Sequence, residues 1–517
     1  MSPQYLSPGV YVEEVDKGAK PIEGAGTSVA AFIGFAQKGP VNYPTFIANW
    51  GQFVQTFGEF MPGSYLAHAV YGYFHNGGGS CYVSRLPGGG GEAEESRPVA
   101  QAALPSGAQP SITTLNVTAL EEGEIKVEVS RPVGEDVPED LFNLKVISSK
   151  AEETFENVTF RRGKGARNVV EVVNRESKLI RVAEKESTLS IAERTPAPGT
   201  YPLTAAATQA VVVREISPTA IVGSAEERSG VNGLELCDDV TMVVCPDVMA
   251  AYQAGAISKE GVKLVQTAML DHAANMRDRF AILDCLPGQS PQEVKDWIVN
   301  EAGYDSKYGA VYYPWIKVAN PLGNGEGIFV PPSGHMAGIY ARSDTQRGVH
   351  KAPANEVVQG CIGLETQITK SEQDSLNPVG INCIRAFPGR GIRVWGARTI
   401  SSDPSWRYIN VRRLFNFVEK SIEVGTQWTV FEPNDPRLWA RIRRDVKAFL
   451  TRVWRDGALF GNTPDEAFYV KCDEELNTVE VRDAGQVIIE VGMAPVKPAE
   501  FVIFRISQWA GASAVAE

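Results

Sequence analysis

Apolar residues in the second half of the chain form short continuous runs that alternate with longer amphipathic stretches. The runs at 240–245, 280–284 and 310–313 have the composition of strands buried on both faces. The stretches at 259–276 and 291–300 carry apolar residues at helical spacing. Because strands that alternate with helices pair in parallel, this half predicts a helix-covered βαβ sheet.

The N-terminal part of the chain predicts further pieces of the same core. Apolar residues at 27–36 (TSVAAFIGFA) and at 81–85 indicate buried strands, and the segments 50–57 and 65–74 indicate short helices. Clusters of glycine on either side of the strand at 81–85 mark loops.

Between residues 92 and 224 the composition shifts toward Glu, Val and Thr. Apolar and polar residues alternate at 124–129, and valines cluster at 169–173, a pattern typical of half-buried antiparallel strands. Helical spacing is scarce in this region. The sequence therefore predicts a mostly-β insertion.

The C-terminal part predicts two helices, at 407–424 and 436–454, and a set of strands. For the second helix, Asp435 suits the N-cap and Pro436 the first turn. One face of this helix is apolar, with Leu438, Ile442, Val446, Phe449, Leu450 and Val453. The opposite face is basic, with Arg437, Arg441, Arg444, Lys447, Arg452 and Arg455. The strands are expected at 392–398, 468–472, 486–492 and 499–507.

Together these patterns predict a multidomain fold of the α+β / α/β class. It combines a βαβ core sheet with an inserted mostly-β domain, an α/β C-terminal domain and extended terminal arms. The expected segments are an N-terminal arm at 1–20, a first core part at 21–91, the β-rich insertion at 92–224, a second core part at 225–370, the C-terminal domain at 371–498, and a final strand and arm at 499–517.

Both termini predict strands that have no partner nearby in the sequence. Pro3 and Pro8 exclude a helix from 1–20, and the residues at 10–15 and 501–506 indicate extended strands. Unpaired backbone donors and acceptors need partners. Unless the termini are simply frayed, we therefore expect each arm to complete a sheet of a neighbouring copy. The side chains expected at these contacts are Val10, Tyr11, Val12, Val15, Phe501, Ile503, Ile506 and Trp509.

Composition and charge exclude several classes of partner. At 517 residues the chain is too long for one hydrophobic core, so roughly two to four domains are expected. Its formal net charge of −12 argues against general nucleic-acid binding. The longest apolar window, 29–36, is far shorter than the about 20 residues that span a bilayer, so no membrane insertion is expected. The N-terminus has Pro3, Pro8, Glu13 and Glu14 where a secretory signal would need a basic start and an apolar run, so we expect cytoplasmic synthesis. The seven scattered cysteines form no CxxC pair, so we expect reduced thiols.

Residues that suggest catalysis are few. Asp247 and Asp284 follow two predicted strands, where α/β proteins place their active sites, but we expect a helix cap or a loop hydrogen bond for an isolated acid. Ser333, His335 and Asp344 have the residue types of a hydrolase triad, yet the segment around Ser333 lacks the GxSxG turn and is predicted to be a structural loop. Neither GxxxxGK[ST] nor HExxH occurs. We expect no catalytic site, cofactor or metal.

Three segments, in this order, resemble the contractile tail sheath family, the outer cylinders of bacteriophage tails and related contractile injection systems. They are residues 5–40, with YLSPGVYVEEVDKG near their start, residues 331–356 (PPSGHMAGIYARSDTQRGVHKAPANE), and residues 374–425, which are dense in Arg, Trp and Gly. The resemblance covers both ends and most of the second half of the chain. It fails in the region around 90–225.

This resemblance implies a structural subunit and not an enzyme. The subunit would polymerise with copies of itself into a helical cylinder around an inner tube protein, with baseplate and tail terminator or cap proteins as further partners. Contraction from a metastable extended state would drive the tube through a target envelope without an ATP site. The family also implies that the basic helix at 436–454 faces the tube, that the arms link subunits of adjacent rings, and that the insertion projects outward.

Alternatives stay open at the level of sequence. The basic helix face is explained as well by solvation or by salt bridges to the protein's own acids. An α/β hydrolase-type enzyme that uses the sheet at 240–313 would be active as a monomer, with clustered titratable groups. A non-contractile filament or surface-lattice protein would use the same arms. A phage virion and an injection particle both fit the sequence.

Overall fold

The structure is a computed structural model, and it describes residues 21–87, 100–109, 112–119, 125–132, 138, 140–148, 151–161, 163, 166–185, 189–205, 216–323 and 325–505. The chain falls into two compact units. We call Met1–Gly90 together with Val213–Glu517 the body unit, and Gly91–Val212 the insert unit.

The described residues form a mixture of strands and helices. The strands are β1 (Ala30–Gly34), β2 (Thr45–Ile47), β3 (Cys81–Arg85), β4 (Ala100–Pro105), β5 (Thr113–Ala119), β6 (Ile125–Ser130), β7 (Phe142–Ser148), β8 (Glu152–Val158), β9 (Ile180–Glu184), β10 (Gly199–Pro202), β11 (Thr204–Ala205), β12 (Met242–Val244), β13 (Phe280–Asp284), β14 (Gly309–Tyr313), β15 (Ile316–Val318), β16 (Ile328–Val330), β17 (Cys361–Leu364), β18 (Ile381–Phe387), β19 (Gly391–Val394), β20 (Phe468–Lys471) and β21 (Glu490–Met493). The α-helices are α1 (Trp50–Phe57), α2 (Leu66–His75), α3 (Val169–Glu176), α4 (Pro218–Val222), α5 (Asp247–Gln253), α6 (Lys259–Met276), α7 (Pro291–Asp296), α8 (Ser333–Arg347), α9 (Lys370–Leu376), α10 (Ile409–Gly425), α11 (Pro436–Arg455), α12 (Pro464–Ala467) and α13 (Val479–Asp483).

An eight-stranded sheet forms the centre of the body unit, in the order β19-β18-β14-β13-β12-β1-β3-β2. The six inner strands run parallel, and the edge strands β2 and β19 pair antiparallel. Successive residues of β13 point to opposite faces, so Phe280 and Ile282 enter one hydrophobic core and Ala281 and Leu283 the other. Because both faces are covered, the inner strands β1, β12 and β14 are continuous apolar runs. The predicted strand at 280–284 and helix at 259–276 are confirmed by β13 and α6.

The sequence pattern does not predict β18, because polar residues interrupt it. Asn382 is fully buried, and its amide donates to the carbonyl oxygens of Val311 at 3.1 Å and Arg398 at 2.7 Å. Its side-chain oxygen accepts from the Arg398 backbone nitrogen at 2.7 Å. A buried amide that makes these bonds does not oppose a central strand.

A further hydrophobic core of the body unit lies between α10, α11 and the two-stranded sheet β20–β21. It includes Leu414 and Val418 from α10, Trp439 and Phe449 from α11, and Phe468 from β20. We call it the C-terminal core. It positions the surfaces described below.

The insert unit has two antiparallel four-stranded sheets, β10-β6-β7-β8 and β11-β4-β5-β9. Its own hydrophobic core contains Leu115, Val127 and Phe142, all fully buried. The prediction of a strand at 169–173 is wrong, because these residues open α3. Asn168 caps this helix by accepting from the backbone nitrogens of the two residues that follow Val169.

Three other predictions in the body unit are wrong. The segment that begins at Ser333 is helix α8 and not a loop; it is buried on nearly all sides, so no amphipathic stripe marks it in the sequence. The strand predicted at 486–492 lies at β21, a few residues later. The strand predicted at 499–507 is absent from 499–505, which pair with no strand, and its last two residues lie outside the described part of the chain.

Candidate assembly surfaces

Helix α11 has the two faces that the sequence predicts. The Asp435 carboxylate accepts from the Leu438 backbone nitrogen at 2.8 Å, and Pro436 occupies the first turn. The apolar face is buried in the C-terminal core. It consists of Leu438, Ile442, Val446, Phe449, Leu450 and Val453.

Part of the basic face of α11 is already engaged within the body unit. Arg441 donates to the Glu432 carboxylate at 3.1 Å and lies 4.9 Å from the centre of the Trp428 ring. Arg444 donates to Asp445, its neighbour in sequence, at 3.0 Å. Salt bridges to the protein's own acids therefore account for these two arginines.

The other four basic side chains of this face form no salt bridge with an acid of the described residues. Arg452 donates to the backbone carbonyl of Ile22. Arg437, Lys447 and Arg455 are exposed, and the described residues offer them no ion pair and no side-chain hydrogen bond. We call these three the unpaired basic residues of α11. They leave an uncompensated positive strip on a chain whose net charge is −12.

The segment that leads into β1 is fixed to α10 and α11. Ile22 is 1% exposed and belongs to the C-terminal core. The Ala25 backbone nitrogen donates to Ser421 Oγ at 2.9 Å, and Arg413 donates to the Thr27 carbonyl oxygen at 2.8 Å. These contacts fix where any N-terminal arm leaves the body. The predicted arm residues Val10, Tyr11, Val12 and Val15 lie outside the described residues.

The C-terminal segment is held at Glu500. Arg398 donates to both carboxylate oxygens of Glu500, with Nη2 at 2.7 Å and Nε at 2.9 Å. Asn377 donates to the same carboxylate at 2.6 Å and Tyr408 at 3.0 Å. Burial by itself raises the pKa of Glu500, but these hydrogen bonds and the Arg398 charge outweigh it and lower the pKa below its usual value.

Directly after Glu500 the chain becomes exposed. Phe501, Val502, Ile503 and Phe504 are between 69% and 83% exposed, and 501–505 pair with no strand of the described residues. Four consecutive large apolar side chains in solvent are unfavourable in an isolated subunit. Ile506 and Trp509, which were predicted to share this contact, lie outside the described residues.

Among the described residues, the two strands of the sheet β20–β21 pair only with each other, whereas directly after β21 the backbone nitrogens of Phe460 and Val496 donate to the carbonyl oxygens of Ala494 at 2.8 Å and Ala458 at 3.1 Å. The two strands pair antiparallel, with Phe468 opposite Met493 and Lys471 opposite Glu490. No third strand joins them within 21–87, 216–323 or 325–505. An unpaired edge exposes backbone donors and acceptors that accept a strand from elsewhere.

The two acidic residues after the core strands act as predicted, through hydrogen bonds to loops and helix starts. Asp247 accepts from the Phe35 backbone nitrogen at 2.6 Å and from Ser64 Oγ at 2.8 Å. Asp284 accepts from the Ser333 backbone nitrogen at 2.9 Å and from its hydroxyl at 2.5 Å, at the start of α8. Burial raises the pKa of Asp247 to about 6 and that of Asp284 to about 7.

The structure does not assemble the hypothetical hydrolase triad. Ser333 bonds to Asp284, as just described, and Asp344 forms a buried ion pair with Arg413 at 2.6 Å. His335 is buried between α8 and α2, and burial lowers its pKa to about 3. Each of the three residues thus has a structural environment of its own.

The described residues offer no further candidate for a chemical site. The part of the chain that the structure describes contains no group of three or more His, Cys, Asp or Glu side chains placed to hold a metal ion. All seven cysteines are free thiols, and six of them are buried. Among the described helices, none combines the length and apolar content that crossing a membrane requires.

Sequence reasoning missed two features of these surfaces. The Glu500–Arg398 contact joins residues 102 positions apart, and nothing in the local pattern around either residue indicates it. The exposed pair Val430 and Phe431, between α10 and α11, could have been found as apolar residues inside a turn segment that ends in EPND.

Comparison with known families matches most of these elements. Residues 240–400 match the phage tail sheath protein central domain, and residues 401–508 match the phage tail sheath C-terminal domain. The first range contains β12–β19, and the second contains α10, α11 and the β20–β21 sheet. The two ranges together cover more than half of the chain.

One curated relative is the tail sheath protein of Vibrio phage KVP40. It is 28% identical over 296 residues, which are 52% of this chain and 43% of that protein. The chain therefore spans less than half the length of this relative.

Two solved structures match almost the whole chain. A chain of the anti-feeding prophage (AFP) helical sheath in its contracted state is 25% identical, with 98% of this chain and 100% of that chain covered and a TM-score of 0.57. A chain of the anti-feeding prophage baseplate is also 25% identical, with 98% and 99% covered and a TM-score of 0.54.

Proposed function

The chain belongs to the phage tail sheath family, and on this premise we propose that it is a structural subunit of a contractile sheath. The family consists of structural proteins and not of enzymes. The subunit polymerises with copies of itself into a helical cylinder around an inner tube. Contraction of the cylinder drives the tube through a target envelope. The match to a contracted helical sheath over 98% of the chain supports this role.

The main support for this proposal is that the chain is anchored at Glu500 and continues beyond it as an exposed segment. The Arg398, Asn377 and Tyr408 contacts hold the carboxylate, and 501–505 continue as an unpaired apolar segment. In the same body, β20 and β21 pair with no third strand of the described residues. An arm and an open edge on one subunit are complementary between two copies.

Strand addition supplies the energy of the lattice contact. Each backbone hydrogen bond that forms contributes about 0.5–1.5 kcal/mol net, and burial of Phe501 and Ile503 adds an apolar term. Because the arm and the edge are different surfaces, the contact is heterologous. Contacts of this kind propagate into rings or open helices instead of closing a dimer.

The anchors at both ends suggest how a cylinder shortens without breaking. The N-terminal contacts at Ile22 and Thr27 and the C-terminal contact at Glu500 fix where the arms leave the body. The bodies then rotate against one another while the arms keep neighbouring subunits joined. A kinetic barrier holds the extended state until the particle fires.

The basic face of α11 is the proposed contact with the inner tube. Arg437, Lys447 and Arg455 are the residues free to pair with an acidic tube. Arg441, Arg444 and Arg452 add positive charge to the same face, although each already has a partner within the body unit. Exposed charge pairs contribute little each, which suits a tube that must slide out.

Each segment of the chain has its own place in the proposed sheath. The arms at 1–20 and 499–517 link subunits, the segments at 21–91 and 225–370 form the core, the domain at 371–498 faces inward, and the insertion at 92–224 projects outward. Baseplate and tail terminator or cap proteins bind the ends of the cylinder. The subunit is made in the cytoplasm and becomes part of a phage tail or an injection particle.

Removing the arms tests the proposal. A variant that ends at Glu500, and a second variant that lacks residues 2–18, should be folded monomers with the circular dichroism of the full chain. Neither should form cylinders in negative-stain microscopy. A control that lacks only 512–517 keeps every predicted contact residue and should still polymerise.

Normal cylinders from the variant that ends at Glu500 would contradict the role of the C-terminal arm. Flat sheets or filaments from the full chain would favour a non-contractile lattice protein instead.

A further inference from the structure

The turn between α10 and α11 presents a bare aromatic side chain. Phe431 is 103% exposed and the adjacent Val430 is 63% exposed. Phe431 also has a φ of 66°, in the left-handed region that bulky residues rarely adopt. It is the sole aromatic residue with a positive φ in the part of the chain that the structure describes.

This turn is closed by two backbone hydrogen bonds and bordered by one half-exposed ion pair. The Val430 and Glu432 backbone nitrogens donate to the carbonyl oxygens of Gln427 and Thr429, both at 3.2 Å. The Glu432 carboxylate accepts from Arg441 at 3.1 Å. The fold therefore keeps Phe431 in solvent at an unfavourable φ, although neither property stabilises an isolated subunit. Both properties are explained when a partner covers the side chain.

The surroundings of the turn indicate which partner this is. Arg441 contacts the turn through Glu432 and Trp428, and it belongs to the basic face of α11. Arg437, one of the unpaired basic residues of α11, lies one helical turn before it. Aromatic residues, including Phe, and arginine are both enriched in protein interfaces. The turn and the basic face thus form one continuous surface.

We propose that Phe431, with Val430 beside it, is the apolar anchor of the tube contact made by the basic face of α11. The inner tube then presents a shallow apolar pocket bordered by carboxylates. This inference rests on the proposed tube-facing role of α11. A single anchor inside a border of charges holds the tube in register, and its small area lets the tube leave when the sheath contracts.

The variant Phe431→Gly separates docking from structure. Glycine adopts a φ of 66° without strain, so the Tm of the unassembled subunit should stay the same or rise. Co-sedimentation with preformed, polymerised inner tubes of the same particle should weaken at least about tenfold. Tube-free polymerisation should be unchanged. The control Tyr43→Ala removes another exposed aromatic side chain, 58% exposed, and should keep full tube binding.

Other outcomes overturn the inference, and they separate its failure from that of the proposed tube contact. If Phe431→Gly binds tubes normally but charge reversal of Arg437, Lys447 and Arg455 weakens binding, the anchor role of Phe431 is wrong and the tube-facing role of α11 stands. If both variants bind tubes normally, both roles are wrong. Loss of tube-free polymerisation with intact tube binding assigns Phe431 to a contact between copies, and a lowered Tm with intact binding assigns it a structural role.

Discussion

Single charged side chains hold distant parts of the body unit together. Arg413 and Asp344 each have side chains that are 4% exposed, and they make two hydrogen bonds at 2.6 Å and 2.9 Å. Arg413 also donates to Thr27, so one guanidinium joins α8, α10 and the segment before β1. A buried pair of this kind is sensitive to the loss of either partner, because the remaining charge stays desolvated.

Replacing Arg413 should therefore destabilise the subunit strongly. Arg413→Met leaves the Asp344 carboxylate buried without its cation, and we expect a loss of about 3–5 kcal/mol in the free energy of unfolding. Urea denaturation of the unassembled subunit measures it. The control Arg441→Met breaks the half-exposed pair with Glu432 and should change the free energy of unfolding by less than about 1 kcal/mol. Similar losses from the two variants would contradict this view of Arg413.

Buried carboxylates and buried histidines give the subunit opposing responses to pH. Burial raises the pKa of Asp284 from 3.8 to about 7, so its contribution to stability is present below pH 3.8 and is lost as the pH rises through about 7. Burial lowers the pKa of His335 from 6.5 to about 3. Its contribution is present above pH 6.5 and is lost as the pH falls toward 3.

The variant Asp284→Asn tests the sign of the first effect. Asparagine keeps a hydrogen-bond acceptor for Ser333 but does not titrate. The free energy of unfolding of the original protein minus that of the variant should fall between pH 4 and pH 7, by on the order of a few kcal/mol. Denaturation curves at several pH values measure it. The same difference for His335→Gln should rise over that range, and a parallel trend in both variants would refute the assignment.

Regular elements are predictable where local pattern and final environment agree. Helix α6 and strand β13 match the expected bounds because one is amphipathic and the other is apolar up to its last residue, Asp284. The sequence pattern does not predict helix α8, because this helix is buried on nearly all sides and has no polar face. It predicts a strand in place of α3, because valine favours strands when the neighbouring residues are ignored.

The candidate site divides in the same way. The cap and the two faces of α11 depend on residues within one helix, so the sequence indicates them correctly. Which of its arginines are already paired depends on Glu432 and on Ile22, and the position of Ile22 is set by tertiary packing. The hold on Glu500 likewise needs Arg398 and Asn377 to be brought near it by the fold.

The unpaired basic residues of α11 allow a direct test of whether its basic face contacts the tube. Arg437→Glu, Lys447→Glu and Arg455→Glu, combined, should weaken association with polymerised inner tubes by at least about tenfold at low salt and less at high salt. The Tm of the subunit should change little, because none of the three residues has an ion pair in the described part of the chain. A control triple, Lys38→Glu, Lys295→Glu and Lys370→Glu, makes the same change in net charge elsewhere. Equal weakening in both triples would show a general charge effect and not a specific face.

The whole chain combines two units that each have a hydrophobic core of their own. In the insert unit, Leu115, Val127 and Phe142 belong to a core shared by its two sheets. In the body unit, Leu86 and Ile216, which precede and follow the insert unit, lie in the same core. The residues on either side of the insert unit are therefore packed together in the core of the body unit. A unit with its own core and closed borders has the properties of an independent domain.

This organisation predicts that the two units fold separately. Residues 91–212 expressed alone should be monomeric and should unfold cooperatively, as circular dichroism and gel filtration will measure. A chain in which a short Gly-Ser linker replaces 91–212 should keep the body fold, because Leu86 and Ile216 still meet in one core. If the insertion projects outward as proposed, this chain should also form cylinders, with a smaller outer diameter and an unchanged inner one. An aggregated linker variant would contradict the independence of the body unit, and a widened inner diameter would place the insertion on the tube side of the sheath.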